Sequence, residues 1–281
     1  MKIWKSILIT LILSSSLYAQ GQTWALLASG LNRDPDENRD KSQAVIRLRR
    51  FLRNEVHLSP EHLTVCVDSE SLAVNDKTMD CNQTTLHQAL TQLSQVVEPN
   101  DTFIFYYVGQ ANRVQETLRF NLAGPDLCHT DLAADLNAIP ARRSLIILDC
   151  PCAGLMIESL ARPQRVIIAA TGSDQPLSPR FSQYFIPALT DPNSDSNEDE
   201  QISLLEAFSA TVQRLDEFFA ERDLVATENP LLEDDADGVP SQRPWIFASS
   251  GKDGRIANEW FFIDNVDVKQ WSDANSLNGR P

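Results

Sequence analysis

The chain has 281 residues, 42% of them hydrophobic, with 39 acidic against 24 basic side chains and a formal net charge of −15. An ordinary apolar fraction with 10 Gly and 15 Pro excludes a long unstructured polymer, and the length fits one α/β domain or two small ones. The acidic balance argues against nucleic acid as a partner, since that affinity comes from Lys and Arg on phosphates, and against anionic membrane surfaces.

At the amino terminus Lys2 and Lys5 precede an apolar run from Ile7 to Leu13, followed by Ser14, Ser15, Ser16, Leu17, Tyr18 and Ala19. A basic start, a short apolar stretch and a small residue before the cut read as a secretory signal over residues 1–19. The run is short for a bilayer span. The expected location is therefore secreted or periplasmic, with no stable membrane insertion once the signal is cleaved. Export permits disulfides. The five cysteines are Cys66, Cys81, Cys128, Cys150 and Cys152, and an odd count leaves one thiol over. Cys66 and Cys81 flank a polar loop and form the expected pair. A bond between Cys150 and Cys152 would be strained.

The first strand is expected at Trp24–Ala28, ended by Ser29 and Gly30. A helix follows, with Val45, Leu48, Leu52 and Val56 on one face. Leu63–Val67 reads as a second strand. Thr84 or Thr85 is the expected cap of a helix with the stripe Leu86, Leu90, Leu93 and Val97. Thr102–Tyr107 is the third strand, Asp131–Ile139 a short helix, Leu145–Leu148 the fourth strand and Val166–Ala170 the fifth. Near-continuous apolar strands alternating with amphipathic helices predict a mostly parallel sheet covered on both faces, a three-layer α/β fold. Ligands of such sheets bind beyond the carboxyl ends of the strands.

Residues 20–257 are expected to form one domain. Within it, residues 191–238 are an acidic insert, with fifteen acidic residues against Arg214 and Arg222. It carries one long helix stripe of Leu205, Phe208, Val212, Leu215 and Phe219. Residues 258–281 read as a polar tail.

The third strand leads into Tyr106-Tyr107-Val108-Gly109-Gln110-Ala111-Asn112, and the fourth into Leu148-Asp149-Cys150-Pro151-Cys152-Ala153-Gly154. This order, strand-G-H-G and then strand-D-x-C-x-x-G, resembles the caspase-like fold of caspases, metacaspases and legumain-type peptidases. The resemblance runs from Trp24 to about Gly238 and looks closest to secreted bacterial proteins of the legumain-like group. Segments 119–126, 202–208 and 227–234 look like that group's own signatures. The resemblance implies a catalytic His and a nucleophilic Cys at the carboxyl ends of neighbouring strands. Here the His position falls on Gln110 and the Cys position on Pro151. Gln has no titratable proton and Pro no nucleophile.

The leading expectation is thus an inactive peptidase homologue, whose crevice binds a peptide or protein partner. Two alternatives stay open. One is a cysteine endopeptidase with its chemistry relocated to Cys152 and His129. The other is a calcium-stabilised structural envelope protein. Asp149 is a candidate binding residue, or a cap for nearby backbone amides. Ser173 and Asp174, after the fifth strand, are candidate pocket residues or an ordinary turn.

The acidic insert offers a candidate Ca²⁺ site. Asp195, Asn197, Asp199, Gln201, Ser203 and Glu206 fit the ligand positions of a twelve-residue Ca²⁺ loop. Glu200 stands at the sixth position, where the sharp turn favours Gly. The alternative is an acidic loop with Glu206 in the first turn of a helix. A second run, Glu233 to Gly238, lacks a downstream Glu at the right spacing and reads as a solvated turn.

Overall fold

A computed structural model describes residues 21–31, 34–67 and 77–263. The expected signal segment and the end of the expected tail lie outside the described residues.

Ten strands and seven α-helices are described. The first half runs β1 (Thr23–Ser29), α1 (Pro35–Asn54), β2 (Leu63–Cys66), β3 (Lys77–Met79), α2 (Gln83–Val96) and β4 (Thr102–Val108). Then come β5 (Ala111–Val114), β6 (Thr117–Phe120), β7 (Leu127–Cys128), α3 (His129–Asn137) and β8 (Arg143–Asp149). The remainder is α4 (Ile157–Leu160), β9 (Arg165–Ala169), α5 (Phe181–Ala188), α6 (Leu204–Glu221), β10 (Leu231–Glu233) and α7 (Arg255–Asn258).

Seven strands make the main sheet in the order β10-β9-β8-β4-β1-β2-β3. All neighbours are parallel except β10, which runs antiparallel to β9. The α/β reading from the sequence is therefore correct. Alternate residues of each strand feed opposite faces. Ile104, Tyr106 and Val108 of β4 join a core with α1, α5 and α6. Phe103, Phe105 and Tyr107 join a second core with α2, α3 and α4. The sheet is thus the middle of three layers.

The helices form where the sequence supplies caps as well as stripes. Asn82 caps α2 by accepting the Thr85 amide at 3.0 Å, and the Thr85 hydroxyl accepts the Asn82 amide in return. The cap thus lies two residues before the earlier of the two expected positions. Ser203 and Glu206 build the same reciprocal box at the start of α6.

Several features differ from expectation. The connection after β4 carries a small antiparallel sheet of β5, β6 and β7, strands that are not among those expected. His129 is the first residue of α3. The segment expected to begin a polar tail packs inward instead: Trp260 is buried, and its carbonyl accepts the Leu204 amide. All five cysteines are thiols, so the expected Cys66–Cys81 bond is not formed. Both sit in the apolar layer under α2, where burial, outweighing a hydrogen bond with the Ser29 backbone, pushes the Cys81 thiol up to about 12. Among the described residues no helix is long and apolar enough to cross a membrane.

Candidate functional site

The carboxyl ends of β1, β4 and β8 converge. The Gly30 amide donates to the Val108 carbonyl at 2.9 Å, and the Gly109 amide to the Asp149 carbonyl at 3.2 Å. Two glycines make this approach possible. A Cβ on Gly109 would lie 2.7 Å from the Gly30 Cα, and one on Gly30 would lie 2.0 Å from the Tyr107 hydroxyl. That hydroxyl donates to the Gln110 carbonyl at 3.0 Å. The strand end is thus fixed from below, and Gln110 stands half-buried at the mouth.

Gln110 lines a cavity of about 340 Å³ with Asp34, Asn112, Asn121, Pro176, Leu177 and Ser178. Three side-chain amides share this surface. Asn112 Nδ2 donates to Asn121 Oδ1 at 2.9 Å. Among the described residues nothing hydrogen-bonds the Gln110 side chain. Arg113 donates to the Ser173 carbonyl at 3.0 Å and so closes one side of the mouth. Ser173 and Asp174 are exposed there, but neither lines the cavity. Gly154 lets that turn come close, since a Cβ at 154 would lie 2.8 Å from the Ser173 amide nitrogen.

The turn after β8 is packed into the fold beside this mouth. Pro151 is buried, and Cys152 is 2% exposed in a left-handed conformation with φ 55°. The Cys152 amide donates to the Gln175 carbonyl, and Thr171 ties the turn to the end of β9 through the Ala153 amide and the Cys150 carbonyl. Burial raises the Cys152 thiol above its ordinary value; Arg113 pulls it down and Asp174 pushes it up. The Cys150 thiol is also raised, by burial first and then by Asp149. Nucleophilic cysteines need the opposite environment.

His129 does not serve Cys152. Its Nδ1 accepts the Leu118 amide at 3.2 Å and lies 3.9 Å from the Cys128 sulfur. No hydrogen bond joins Cys152 to His129 among the described residues. The dyad expected from the sequence is not assembled, because α3 begins directly after β7 and the imidazole continues the β6–β7 pairing through the Leu118 amide.

Asp149 is wholly buried. Its Oδ2 accepts the Ser182 amide at 3.2 Å and the Ser182 hydroxyl, and Tyr106 Oη lies 2.6 Å from that hydroxyl. Lys41 Nζ lies 3.8 Å from Oδ1 and donates to the Pro179 carbonyl at 2.8 Å. Asp149 therefore holds the first turn of α5, a distant helix, and not the turn that follows it. Glu228 is buried nearby, and burial pushes its carboxyl up to about 7; hydrogen bonding to the Arg180 backbone offsets part of this. Nothing in the sequence pattern points to Lys41 or Glu228, because both meet Asp149 only through tertiary packing.

The acidic insert makes the expected sharp turn. Glu200 has φ 67°, the conformation for which Gly is favoured, and Glu198 has φ 62°. The carboxylates turn inward on the backbone. Asp195 accepts the Asp199 and Glu200 amides, Asn197 the Asp199 amide, and Asp199 the Gln201 amide. Glu206 is 5% exposed. Its Oε1 accepts the Ser196 and Asn197 amides, and its Oε2 the Ser203 amide and hydroxyl. Asp195, Asp199 and Glu206 do not converge on one point among the described residues. Gln201 and Ser203 complete the turn into α6.

The second acidic run is not simply a solvated turn. Glu233 is wholly buried and Asp234 is 1% exposed. One carboxylate oxygen from each of Glu233, Asp235 and Asp237 lies within 4.8 Å of the others. Asp234 faces away and accepts the Gly254 and Ala257 amides. Alternation along an extended segment sends neighbouring carboxylates to different places, which composition alone conceals.

Fold and site define an α/β protein with a mostly parallel sheet and an amide-lined crevice at its carboxyl edge. No family model and no curated protein matches the chain.

Proposed function

We propose that this protein is an exported, catalytically inactive relative of caspase- and legumain-type peptidases that binds an extended peptide or a protein segment at the carboxyl edge of its sheet. The observation that carries this reading is the pairing of two strand ends. Gly109 is hydrogen-bonded to Asp149, and Gln110 and Pro151 follow within two residues. The resemblance would require an imidazole and a thiolate at those positions. The crevice beside them keeps its cavity and offers Gln110, Asn112 and Asn121. Side-chain amides carry both donors and acceptors, which suits the peptide groups of an extended chain. A buried thiol with raised pKa supplies no substitute nucleophile.

The test uses the purified chain beginning at residue 20. A library of quenched fluorescent peptides is expected to show no hydrolysis. A peptide array is expected to yield binders, with affinity falling tenfold or more in Gln110→Ala/Asn112→Ala. Hydrolysis that disappears on alkylation of the protein overturns the reading. A Gln110→His/Pro151→Cys variant is expected to gain measurable cleavage, because the resemblance puts its imidazole and thiol at these two positions.

A further inference from the structure

We propose that Glu233, Asp235 and Asp237 form a Ca²⁺ site at the amino edge of the sheet, remote from the crevice. The placement follows from register. β10 runs antiparallel to β9, with Leu231 opposite Ala169 and Glu233 opposite Ile167. The chain therefore leaves β10 near the amino end of β9, whereas the crevice lies beyond the carboxyl ends of the strands.

The three carboxylates share a pattern. Glu233 Oε1 accepts the Gly238 amide at 3.3 Å, Asp235 Oδ1 the Asp237 amide at 3.1 Å, and Asp237 Oδ1 the Val239 amide at 2.7 Å. In each, the loop backbone holds one oxygen. Left-handed Ala236 (φ 70°) and Gly238 (φ 76°) curl the loop around this group.

The independent observation is Glu233 itself. The residue is wholly buried, and its Oε2 has no hydrogen-bond partner. A buried carboxylate oxygen without a partner carries a large desolvation cost. Arg165 feels the Glu233 charge, but its hydrogen bonds go to other acceptors. Arg165 donates to Ser144 Oγ, Asn137 Oδ1 and the Leu160 and Leu136 carbonyls.

A metal fits the remaining space. Two oxygens bound to one Ca²⁺ at about 2.4 Å can lie at most about 4.8 Å apart, and all three carboxylates meet that bound. Ca²⁺ takes six to eight hard oxygens in flexible geometry. Asp235 and Asp237 reach the surface, so water completes the shell. Mg²⁺ demands a near-ideal octahedron and retains most of its own water. Ca²⁺ is therefore the ion this open, loop-borne set selects.

The experiment titrates CaCl₂ into the purified, chelator-treated chain by calorimetry. The expected dissociation constant is about 0.1–1 mM, the range of extracellular calcium modules. Asp235→Asn/Asp237→Asn, with its fold checked by circular dichroism, is expected to weaken binding at least tenfold. Asp199→Asn, in the other acidic loop, is expected to leave it unchanged. Hydrogen exchange read by mass spectrometry localises the ion independently: Ca²⁺ is expected to slow amides of residues 233–239 and not those of 195–206. Absence of heat up to about 10 mM Ca²⁺, protection confined to 195–206, or equal binding of MgCl₂ overturns the proposal.

Discussion

Lys41 and Asp149 meet in the interior, with Nζ 3.8 Å from Oδ1 and both side chains less than a tenth exposed. One comes from the second turn of α1 and the other from the last position of β8. Their pairing joins the helix layer to the end of the strand that leads to Pro151. Asp149 also holds Ser182 at the start of α5, so a single carboxylate ties α1, β8 and α5 together.

Breaking this pair leaves a buried charge without its counterion. Lys41→Met is expected to lower unfolding free energy by about 3–5 kcal/mol. Lys41→Met/Asp149→Asn is expected to recover part of that loss, because the stranded charge is gone. Urea unfolding of the parent, single and double variants checks both statements.

Glu228 predicts a pH dependence. Its folded pKa is raised to about 7, well above the value near 4.3 expected in the unfolded chain. The folded state therefore binds this proton more tightly. Its contribution favours the folded state below pH ~4 and is lost as pH rises through about 7. Between pH 8 and pH 5 the protein is expected to gain thermal stability from this residue. Glu228→Gln is expected to flatten that part of the profile, as read by melting temperatures across the range.

The Gly30–Gly109 approach predicts intolerance to a single methyl group. The clash distance at Gly109 is to backbone and has no flexible side chain to yield. Gly109→Ala is expected to cost about 1–3 kcal/mol, the range for overpacking. Denaturant midpoints measure it, and an unchanged midpoint would mean that the strand ends are free to separate.

Thiol accessibility provides a fourth check. Cys128 is partly exposed, whereas Cys66, Cys81, Cys150 and Cys152 are buried. One equivalent of iodoacetamide is expected to react quickly, at Cys128, in the native protein. Rapid modification of Cys152 would reveal an open, nucleophilic thiol and revive peptidase chemistry. Peptide mass mapping after a short pulse distinguishes the two.

Much of the fold was legible in the sequence, and the reason is local. Runs such as Leu145–Leu148 and stripes such as Leu205, Phe208, Val212, Leu215 and Phe219 carry their period within a few residues. The small sheet β5–β7 was not legible, because Arg113 and Glu116 interrupt its pattern and its pairing closes over short turns. The partners of Asp149 were not legible either: Lys41 lies 108 positions before it and Ser182 33 after it.

The acidic segments divide along the same line. Sequence alone determined that residues 191–238 concentrate negative charge, and offered Glu206 as a first-turn residue of a helix. Oxygen-rich spacing suggested Ca²⁺ at 195–206, but Asp195, Asp199 and Glu206 do not converge on one point among the described residues. Only the tertiary structure decided that Glu233 is buried with one oxygen unused, and that one oxygen each of Glu233, Asp235 and Asp237 lie within 4.8 Å of one another. The physical reason is that ligand number is a property of convergence in space. A sequence fixes which residues carry oxygens; pairing of β10 with β9 and the curl of the following loop decide where those oxygens point.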